Sequence, residues 1–445
     1  MDKNELSRQI ALKVEEAGGK VFYVGGCVRD KLLHIPNKDI DIEVHGITPE
    51  KLYSILEEFG KPLSYGKSFG VYSIKGYDID IAMPRREKAT GKGHRDFAIN
   101  VDPFIGTKEA ARRRDFTINA LMEDVLTGDI IDPFEGLKDL EDHVLRCVDP
   151  VTFIEDPLRV LRAAQFSSRF HFAIDEKTLA LCKGIDLSAL HKQRVEEELK
   201  KALLKSDEPS LFFKVLLQMD QLDLWFREVK ELIGVKQDPI YHPEGDVFVH
   251  TMQVLDRSTK YRDEVSDPYC FMLLALCHDL GKIVTTKEID GRIHSYGHET
   301  KGLPLIKTFF HRFSDEKVPL KYLMNMTPLH MRLFALAKDR SSIKAFNKVF
   351  DAALEPYDLI CFSLADKGEK AKKEETDLIY ERYETFRDYM ERDHVNGQDL
   401  IEAGLRPEES FSELLAYAHK LQLAGVGKEE ALKQTLAYAK KGKAG

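Results

Sequence analysis

The pattern of apolar and polar residues predicts short strands and helices near the start of the chain. Residues 21–24 form an apolar run of β-branched and aromatic side chains, which is typical of a buried strand. Two glycines interrupt this run, and residues 28–33 are predicted to form a helix. Residues 38–44 alternate acidic and apolar side chains, so they predict a second strand with one acidic face.

The neighbouring segments predict further elements of the same region. Residues 1–19 have the pattern of an amphipathic helix that ends at two glycines, and residues 49–60 predict another helix. Residues 70–74 and 77–83 predict a β-hairpin. Residues 84–102 are rich in glycine and basic side chains and have no clear period, which predicts a flexible loop.

Length and composition predict a soluble protein of several domains. The chain of 445 residues exceeds the size of a single core, so about two to four domains are expected. No apolar run of about 18 residues predicts a membrane span, and the acidic first helix is unlike a signal peptide. The six cysteines are scattered and form no C-x-x-C pair, which favours a reduced cytoplasmic protein.

The acidic face of residues 38–44 is the first candidate for chemistry. It carries Asp39, Asp41 and Glu43, and it follows two glycines that would let the backbone approach a phosphate closely. Neighbouring carboxylates beside a phosphate site predict that a nucleoside triphosphate and Mg²⁺ meet here, with Asp39 and Asp41 as the metal ligands. A half-exposed edge strand with solvated acids is the alternative interpretation.

Basic residues near this site are candidates for contacts with phosphate. The net charge of −9 argues against nucleic acid covering the whole surface, but residues 85–114 contain a local basic cluster. Three consecutive arginines precede Asp115 in EAARRRDFTINALM (109–122), and a guanidinium group can bind phosphate oxygens in a bidentate geometry. A basic helix end is the alternative. We predict that Asp115 and Asn119 hold the turn and the start of the following helix.

The segment EDPLRVLRAAQF (155–166) predicts a helix whose surface could recognise a base. Asp156 and Pro157 are suited to starting an ordinary helix. Asp156, Arg159 and Arg162 also recur every three residues, so they form one ridge. An aspartate acceptor beside an arginine donor complements the amino group and ring nitrogen of cytosine or adenine, whereas uracil and guanine present the reverse pattern. We therefore predict that Asp156 and Arg159 select C and A without a nucleic-acid template, and that Arg162 supports the base or the phosphates.

These segments together resemble the polymerase-β-like nucleotidyltransferases, in the family of class II tRNA nucleotidyltransferases (CCA-adding enzymes) and bacterial poly(A) polymerases. Residues 21–44 resemble motif A of the family, residues 109–122 resemble motif B, and residues 155–166 resemble motif D. The resemblance implies an α+β fold, with a small head that contains a mixed sheet and all-helical neck, HD and tail domains after it. The implied domains are residues 1–140, 141–220, 221–390 and 391–445.

The resemblance also implies roles for individual residues. Asp39 and Asp41 would be catalytic, and Asp80 would be a third catalytic acid, with Asp78 as a close rival on the same strand face. The residues implied to bind the nucleotide are Gly26, Arg29, Arg114, Asp156, Arg159 and Arg162.

Three further segments bear on the product and on the neck. In CCA-adding enzymes, a loop at the position of residues 84–102 is linked to the final addition of A, so its presence favours a CCA- or A-adding enzyme. Gln165 stands where many members of the family carry an arginine, which predicts an altered nucleotide contact. Residues 193–199 resemble motif E, in which Arg194 and Glu198 are predicted to pair along a helix.

Residues 241–370 contain a second candidate site, built from histidines and acids. Its order is His250, then the adjacent His278 and Asp279 at the end of an apolar run, and then Asp366. A lone buried histidine is more often a satisfied core residue, but burying an unpaired aspartate is costly.

This order of ligands resembles the HD phosphohydrolase domain. The resemblance implies that His250, His278, Asp279 and Asp366 bind a divalent metal, for which a transition metal is a candidate. Two more histidines, at 298 and 330, would bind a second metal or the phosphate. The implied reaction is attack by metal-activated water on a 2′,3′-cyclic phosphate or a phosphomonoester.

The function that these resemblances imply is template-independent addition of C, C and A to the 3′ end of tRNA. The substrates would be CTP and ATP, two Mg²⁺ ions would assist, and pyrophosphate would leave. A poly(A) polymerase or an enzyme that adds only A is the alternative within the fold. An HD phosphohydrolase with a degenerate head and a non-catalytic RNA-binding protein are alternatives of other classes.

Overall fold

The computed structural model describes residues 1–37, 39–64, 70–89, 97–407 and 410–442. The chain forms two compact units, Met1–Phe226 and Arg227–Gly445. The first unit combines a sheet with helices and the second is mostly helical, so the predicted α+β class is confirmed. The division between the units lies near the predicted boundary at residue 220, while the division into four domains stays a prediction.

The first unit contains eleven strands and ten helices. The strands are β1 Lys20–Val24, β2 Asp41–His45, β3 Pro62–Ser64, β4 Val71–Ile74, β5 Asp80–Ala82, β6 Arg85–Ala89, β7 Phe97–Val101, β8 Met122–Asp124, β9 Ile130–Ile131, β10 Val144–Leu145 and β11 Ala173–Ile174. The helices are α1 Lys3–Glu16, α2 Gly26–Leu32, α3 Pro49–Glu57, α4 Thr107–Arg112, α5 Gly136–Glu141, α6 Pro150–Phe153, α7 Leu158–Phe170, α8 Glu176–Lys183, α9 Lys192–Lys205 and α10 Ser210–Gln218. These counts refer to the described residues.

The second unit is helical apart from one short hairpin among its described residues. Its helices are α11 Arg227–Glu231, α12 Val247–Ser258, α13 Pro268–Cys277, α14 Lys282–Thr285, α15 His298–Lys301, α16 Leu303–Phe313, α17 Lys317–Met326, α18 Arg332–Lys338, α19 Ile343–Ala352, α20 Pro356–Lys367, α21 Lys373–Glu391, α22 Gly397–Glu402, α23 Ser410–Gln422 and α24 Lys428–Gly442. The hairpin strands are β12 Lys287–Ile289 and β13 Arg292–His294.

Seven strands of the first unit form one mixed sheet in the order β3-β4-β5-β2-β1-β8-β9. β2 and β5 run parallel, and the other neighbouring pairs are antiparallel. The predicted hairpin between residues 70 and 83 is present as β4 and β5. The central position of β2 and its parallel neighbour β5 brings the starts of these two strands to the same place.

The alternation of side chains along β2 sorts them between two faces of the sheet. Ile42 and Val44 are fully buried against Leu6 and Ile10 of α1, while Glu43 lies on the opposite face. Full burial of an aliphatic side chain contributes about 1.5–3 kcal/mol, and a slip of one residue would expose this whole set. The core therefore determines which face of the sheet carries the acidic residues.

Two predicted boundaries differ from the structure. β2 begins at Asp41 and not at residue 38, and α2 begins at Gly26 and not at residue 28. Gly25 between β1 and α2 has a φ of 69°, a backbone conformation that glycine adopts without steric cost. The turn between strand and helix is therefore tighter than the apolar pattern indicates.

The prediction of a flexible loop over residues 84–102 is wrong for most of that segment. β6 pairs with β7 in an antiparallel hairpin in which Arg85 lies opposite Val101 and Arg86 lies opposite Asn100. Backbone hydrogen bonds between the two strands organise the segment, and the irregular side-chain pattern does not reveal them. The tip of the predicted loop, residues 90–96, lies outside the described residues.

Helix α13 is the centre of the second unit. Its residues from Tyr269 to Cys277 are all buried, so it is apolar on every side, as expected of a helix surrounded by others. The chain leaves this helix directly into His278 and Asp279, which are also buried. Within the described residues, no helix, α13 included, combines the length and apolar character needed to cross a membrane. The six cysteines, all within the described ranges, are free thiols.

Candidate functional site

Two carboxylates meet where β2 and β5 begin. Asp41 and Asp80 are direct partners across these parallel strands. Burial raises the pKa of Asp41, and the nearby carboxylates of Asp80 and Asp39 raise it further, while Arg114 opposes them. A cation bound at these acids would relieve their mutual repulsion. Asp39 is exposed just before β2, and its backbone N–H donates to Asn37 Oδ1 at 2.9 Å.

Asp80, at the start of β5, and Asp78, just before this strand, have different surroundings. Asp78 forms an ion pair with Lys3 of α1, with 2.7 Å between Nζ and Oδ2. Asp80 is the residue paired with Asp41. The geometry therefore favours Asp80 as the third acid of the site, as the resemblance implied.

Glu43 is a member of the site whose role the sequence did not reveal. Its side chain is fully buried, and its Oε2 lies 3.3 Å from Arg113 and 3.6 Å from Arg114, while Oε1 lies 2.9 Å from His45 Nε2. Burial opposes ionisation of Glu43, but His45 and the two arginines outweigh it and lower its pKa to about 2. A carboxylate enclosed in this way holds the arginines beside Asp41. Its position on the same strand face as Asp41 was the only available sequence signal.

A polar cavity of about 490 Å³ extends from these groups to residues of α7 and α9. This volume is within the range of small-molecule sites. The predicted residues that line the cavity are Gly26, Arg29, Asp39, Asp41, Arg114, Asp156, Arg159 and Arg162. The motif A, B and D residues thus share one cavity, while Asp80 is not among its lining residues.

A buried hydrogen-bond network fixes the wall of the cavity. Asp115 accepts from Arg162 Nε at 2.6 Å and from Asn119 Nδ2 at 2.9 Å, so the two residues hold this turn as predicted. The helix predicted to follow is only a short 3₁₀ turn, Thr117–Asn119, before β8. Asn119 Oδ1 accepts in turn from Arg29 at 2.6 Å, and Arg29 also pairs with Asp30. Burial opposes ionisation of Asp115, but Arg162 and its other partners lower its pKa to about 2. Arg29 and Arg162 are therefore held in place by the protein's own acids.

The proposed base reader lies at the start of α7. Asp156 Oδ1 accepts the Leu158 N–H at 3.1 Å, and Arg159 donates to the backbone carbonyls of Thr152 at 2.9 Å and Arg113 at 2.5 Å. A carboxylate offers about four acceptor positions and a guanidinium five N–H groups, so both side chains can also contact a ligand. The two carbonyl contacts orient the Arg159 guanidinium within the described fold.

Gln165 is the departure from the family pattern, and it lines the same cavity. Its side chain is 1% exposed, and its Nε2 has no hydrogen-bond partner among the described residues.

The predicted pair in motif E is wrong, because Arg194 pairs with Glu197 at 3.2 Å. Glu198 is instead buried and pairs with Lys201 at 2.8 Å. Burial of Glu198 points its side chain inward, away from the exposed ridge of α9.

The histidines and acids of the second unit also come together. His250 Nε2 lies 3.1 Å from Asp366 Oδ1 and 3.6 Å from Asp279 Oδ2. The Nε2 atoms of His278 and His298 lie 3.2 Å and 3.1 Å from the two oxygens of Asp279. The four predicted ligands therefore converge from α12, the end of α13 and α20, with His298 from α15 beside them.

Three of the histidine rings in the second unit are held by the same kind of contact. The Nδ1 atoms of His278, His298 and His330 lie 3.0, 2.9 and 2.7 Å from the backbone carbonyls three residues earlier. A carbonyl only accepts, so Nδ1 carries the hydrogen and Nε2 presents its lone pair. The Nε2 atoms of His278 and His298 are buried and make no hydrogen bond of good geometry among the described residues. Orphaned lone pairs facing a buried carboxylate fit a divalent metal.

The possible ligand atoms among the described residues form three groups, of which one contains His242, Glu244 and His250 and the other two overlap at Asp279. Of these two, one contains His250 and His278 with Asp279, the other contains His298 and His330 with Asp279, and the ligand atoms within each group lie within 4.8 Å of one another. Burial opposes ionisation of Asp279, but Lys282 and His278 hold its pKa well below the usual range. Within the described ranges, tight groups of three possible ligands occur in the second unit only.

Protonation differs between the histidines of this centre. Burial opposes protonation of His250, but hydrogen bonds to Asp366 and Glu244 outweigh it and raise its pKa to about 9. Burial, helped by His278, lowers the pKa of His330 to about 4. A cavity of about 380 Å³ opens beside these groups, and Lys282, Lys338 and Lys367 are among its lining residues. Lysines beside a candidate metal centre suit a phosphate substrate.

Comparison with known proteins gives consistent matches. Residues 21–146 match the family model described as the poly(A) polymerase head domain. The chain is 36% identical over 412 residues to the multifunctional CCA protein of Mannheimia succiniciproducens, covering 89% of this chain and 94% of that protein. It is 35% identical over 413 residues to the protein of that name from Pasteurella multocida, with the same coverage.

Solved structures show the same fold. The Thermotoga maritima CCA-adding enzyme, in a structure described as complexed with tRNA, superposes with a TM-score of 0.66 at 24% identity, over 99% of this chain and 96% of that one. A Bacillus stearothermophilus CCA-adding enzyme in complex with CTP superposes with a TM-score of 0.65 at 19% identity over the full length of both chains.

Proposed function

The chain belongs to the family of multifunctional CCA proteins, and from this premise we propose that it adds C, C and A to the 3′ end of tRNA, using CTP and ATP. One observation carries this proposal: acids of motif A, an arginine of motif B and the candidate base reader of motif D line one cavity. A degenerate head would not retain this set in one place. The free cysteines and the substrates suit a cytoplasmic enzyme.

The reaction is attack by the RNA 3′-hydroxyl oxygen on the α-phosphorus of the nucleotide. The new phosphodiester bond forms as the bond to the β-phosphate breaks, and pyrophosphate leaves. Bound at Asp39 and Asp41, Mg²⁺ would assist deprotonation of the hydroxyl and neutralise the leaving group. Arg114, held beside Asp41 by Glu43, binds triphosphate oxygens, and Asp80 adds negative charge for holding the metal.

Base selection is assigned to Asp156 and Arg159. Asp156 accepts from the amino group of cytosine or adenine, and Arg159 donates to the adjacent ring nitrogen. The contacts of Arg159 with two backbone carbonyls support this role, because they orient the guanidinium before a base arrives. Uracil and guanine would place a donor against the arginine and an acceptor against the carboxylate.

The test of the proposed function is incubation with tRNA that ends at the discriminator base, with each labelled nucleotide supplied in turn and then in combination. We expect two C residues and then one A, no incorporation of U or G, and no A before the two C residues. No addition of C to this tRNA, together with addition of A to a second tRNA that already ends in CC, would indicate an A-adding enzyme. Long A tails would indicate a poly(A) polymerase.

Asp156 variants should relax the selection of bases. In Asp156→Ala, the ratio of kcat/KM for CTP to that for UTP should fall roughly 10- to 100-fold, since the lost pairing is worth about 1–3 kcal/mol. In Asp156→Asn, the ratio of kcat/KM for CTP to that for UTP should fall further, because the amide offers a donor toward the amino group of cytosine. The exposed Glu176 of α8 provides a control, Glu176→Gln, which should keep the wild-type ratio. An unchanged ratio in both Asp156 variants would remove Asp156 from base selection.

A second activity is proposed for the second unit, namely metal-dependent hydrolysis of phosphoesters. The Nε2 atoms of His278 and His298 favour this activity, because they are buried and lack a hydrogen bond of good geometry. Polar atoms of histidines with a purely structural role are normally hydrogen-bonded when they are buried. His250, His278, Asp279 and Asp366 would hold the first metal, and His298 and His330 a second metal or the phosphate. Activation of water and polarisation of the phosphoryl oxygen are the chemistry that such a metal supplies. We propose 2′,3′-cyclic phosphates and phosphomonoesters as substrates.

A further inference from the structure

A carboxylate outside the predicted ligand set contacts one of the predicted ligands. Glu244 lies in the segment before α12, with its side chain 10% exposed. Its Oε1 lies 2.9 Å from His250 Nδ1 and 3.0 Å from His242 Nδ1, and its Oε2 accepts from Lys370 Nζ at 2.9 Å. Both oxygens of Glu244 are therefore engaged within the protein.

His250 differs from the other histidines of the centre in how its ring is held. The rings of His278, His298 and His330 are held by backbone carbonyls, whereas the ring of His250 is held by a side chain. A carboxylate accepts only, so Nδ1 of His250 carries a hydrogen toward Glu244, while Nε2 faces Asp366 and Asp279, where a bound metal would replace the hydrogen on Nε2. The orientation of this ligand thus depends on a residue that a substitution can remove.

Glu244 also connects the two ends of the ligand set. Lys370 follows the end of α20, which carries Asp366, and its Nζ donates to the Tyr241 carbonyl at 2.7 Å as well as to Glu244. His250 and Asp366 are the first and last ligands along the chain. One carboxylate therefore joins the segments that supply both.

We propose that Glu244 is a positioning residue of the metal centre, which sets the tautomer and ring orientation of His250 without binding the metal itself. This inference depends on the proposed metal site of the second unit. Charged partners behind a ligating histidine typically change metal affinity 10- to 100-fold when they are removed. The carbonyl-held histidines should not respond to the same change.

The first measurement is the Zn²⁺ dissociation constant of the full chain, by competition with a chelator after metal removal. Glu244→Gln should raise the Kd about tenfold and Glu244→Leu about 100-fold, with an unchanged number of bound ions. The exposed Glu369 provides a matched control, Glu369→Gln, which should keep the wild-type Kd. The glutamine variant keeps the side-chain volume, so it carries the test by itself if the leucine variant does not fold.

The second measurement is the tautomer of each histidine in the Zn²⁺-loaded full chain, from long-range ¹H–¹⁵N correlation spectra with ¹⁵N-histidine. Glu244→Leu should change the His250 signals and leave those of His278 and His330 in place, which a general loss of structure would not do. Unchanged Kd and unchanged His250 signals would overturn the inference. A wild-type chain that binds no Zn²⁺ would instead overturn the proposed metal site.

Discussion

Asp41→Asn is expected to abolish nucleotide addition while the protein stays folded. The substitution removes the charge of an acid beside Asp80 and within the same cavity as Arg114. Charge stabilisation by a bound metal is worth several kcal/mol in the transition state, and about 1.4 kcal/mol corresponds to a factor of ten in rate. The rate of C addition to tRNA without its CCA end should therefore fall roughly 1,000-fold or more. Single-turnover incorporation of labelled CTP is the measurement.

The neighbouring acids provide the comparison set. Asp39→Ala and Asp80→Asn should also lower the rate strongly, whereas Asp78→Asn should stay close to wild type, because Asp78 is exposed and paired with Lys3. Hydrolysis of a 2′,3′-cyclic nucleotide should persist in all four variants. Loss of both activities in a normally folded Asp39→Ala protein would contradict two separate sites. A rate near wild type in Asp41→Asn would remove this acid from the reaction.

Asp279→Asn is expected to abolish metal binding and phosphoester hydrolysis. Asp279 belongs to two of the three groups of possible ligands among the described residues, and its oxygens face His278 and His298. Asparagine keeps the shape but removes the charge that a divalent ion requires, so hydrolysis should fall roughly 1,000-fold or more. The measurements are bound metal per chain and release of product from a 2′,3′-cyclic nucleotide. Nucleotide addition to tRNA should be unchanged.

The control for this variant is Asp290→Asn. Asp290 is exposed between β12 and β13 and has a φ of 51°, a conformation that asparagine also adopts readily. The Asp290→Asn substitution should leave nucleotide addition, phosphoester hydrolysis and the metal content at wild-type levels. A thermal unfolding curve for Asp279→Asn distinguishes loss of the centre from loss of the fold. Full hydrolysis by a folded Asp279→Asn protein would contradict the proposed centre.

Where the sequence pattern succeeded, the reason is local. The alternation in residues 38–44 predicted an acidic face and an apolar face, because side chains on a strand point alternately to either side. The structure places Ile42 and Val44 in the core and Glu43 on the other face. Likewise, Asp115 and Asn119, which were predicted to hold a turn, lie four residues apart and contact each other within that short segment.

The predictions that failed depended on partners distant in sequence or on burial. The hairpin of β6 and β7 is organised by cross-strand hydrogen bonds, which leave little trace in a basic, glycine-rich segment. Arg194 pairs with Glu197 because Glu198 is buried and engaged elsewhere. Spacing alone permitted both pairings, since i,i+3 and i,i+4 neighbours lie on the same helix face.

The sequence also did not distinguish arginines that contact the nucleotide from arginines that position neighbouring residues. Arg29 lies within motif A and Arg114 within motif B, and both line the cavity. The structure shows that Arg29 donates to Asp30 and Asn119 and is 4% exposed, whereas Arg114 lies beside Glu43 near the acids. An arginine whose donors are used by internal acceptors positions its neighbours, so a nucleotide contact of Arg29 stays a prediction.

The resemblance of the sequence to a known family predicted the α+β class, and the alternation of side chains in residues 38–44 predicted the acidic strand face, because that alternation is a property of the local chain. Only the tertiary structure decided that Asp80, and not Asp78, pairs with Asp41, since two acids on one strand face differ only in their neighbours. It also decided that Glu43 holds the arginines. Glu244 could be recognised only once residues far apart in the chain were packed around one centre.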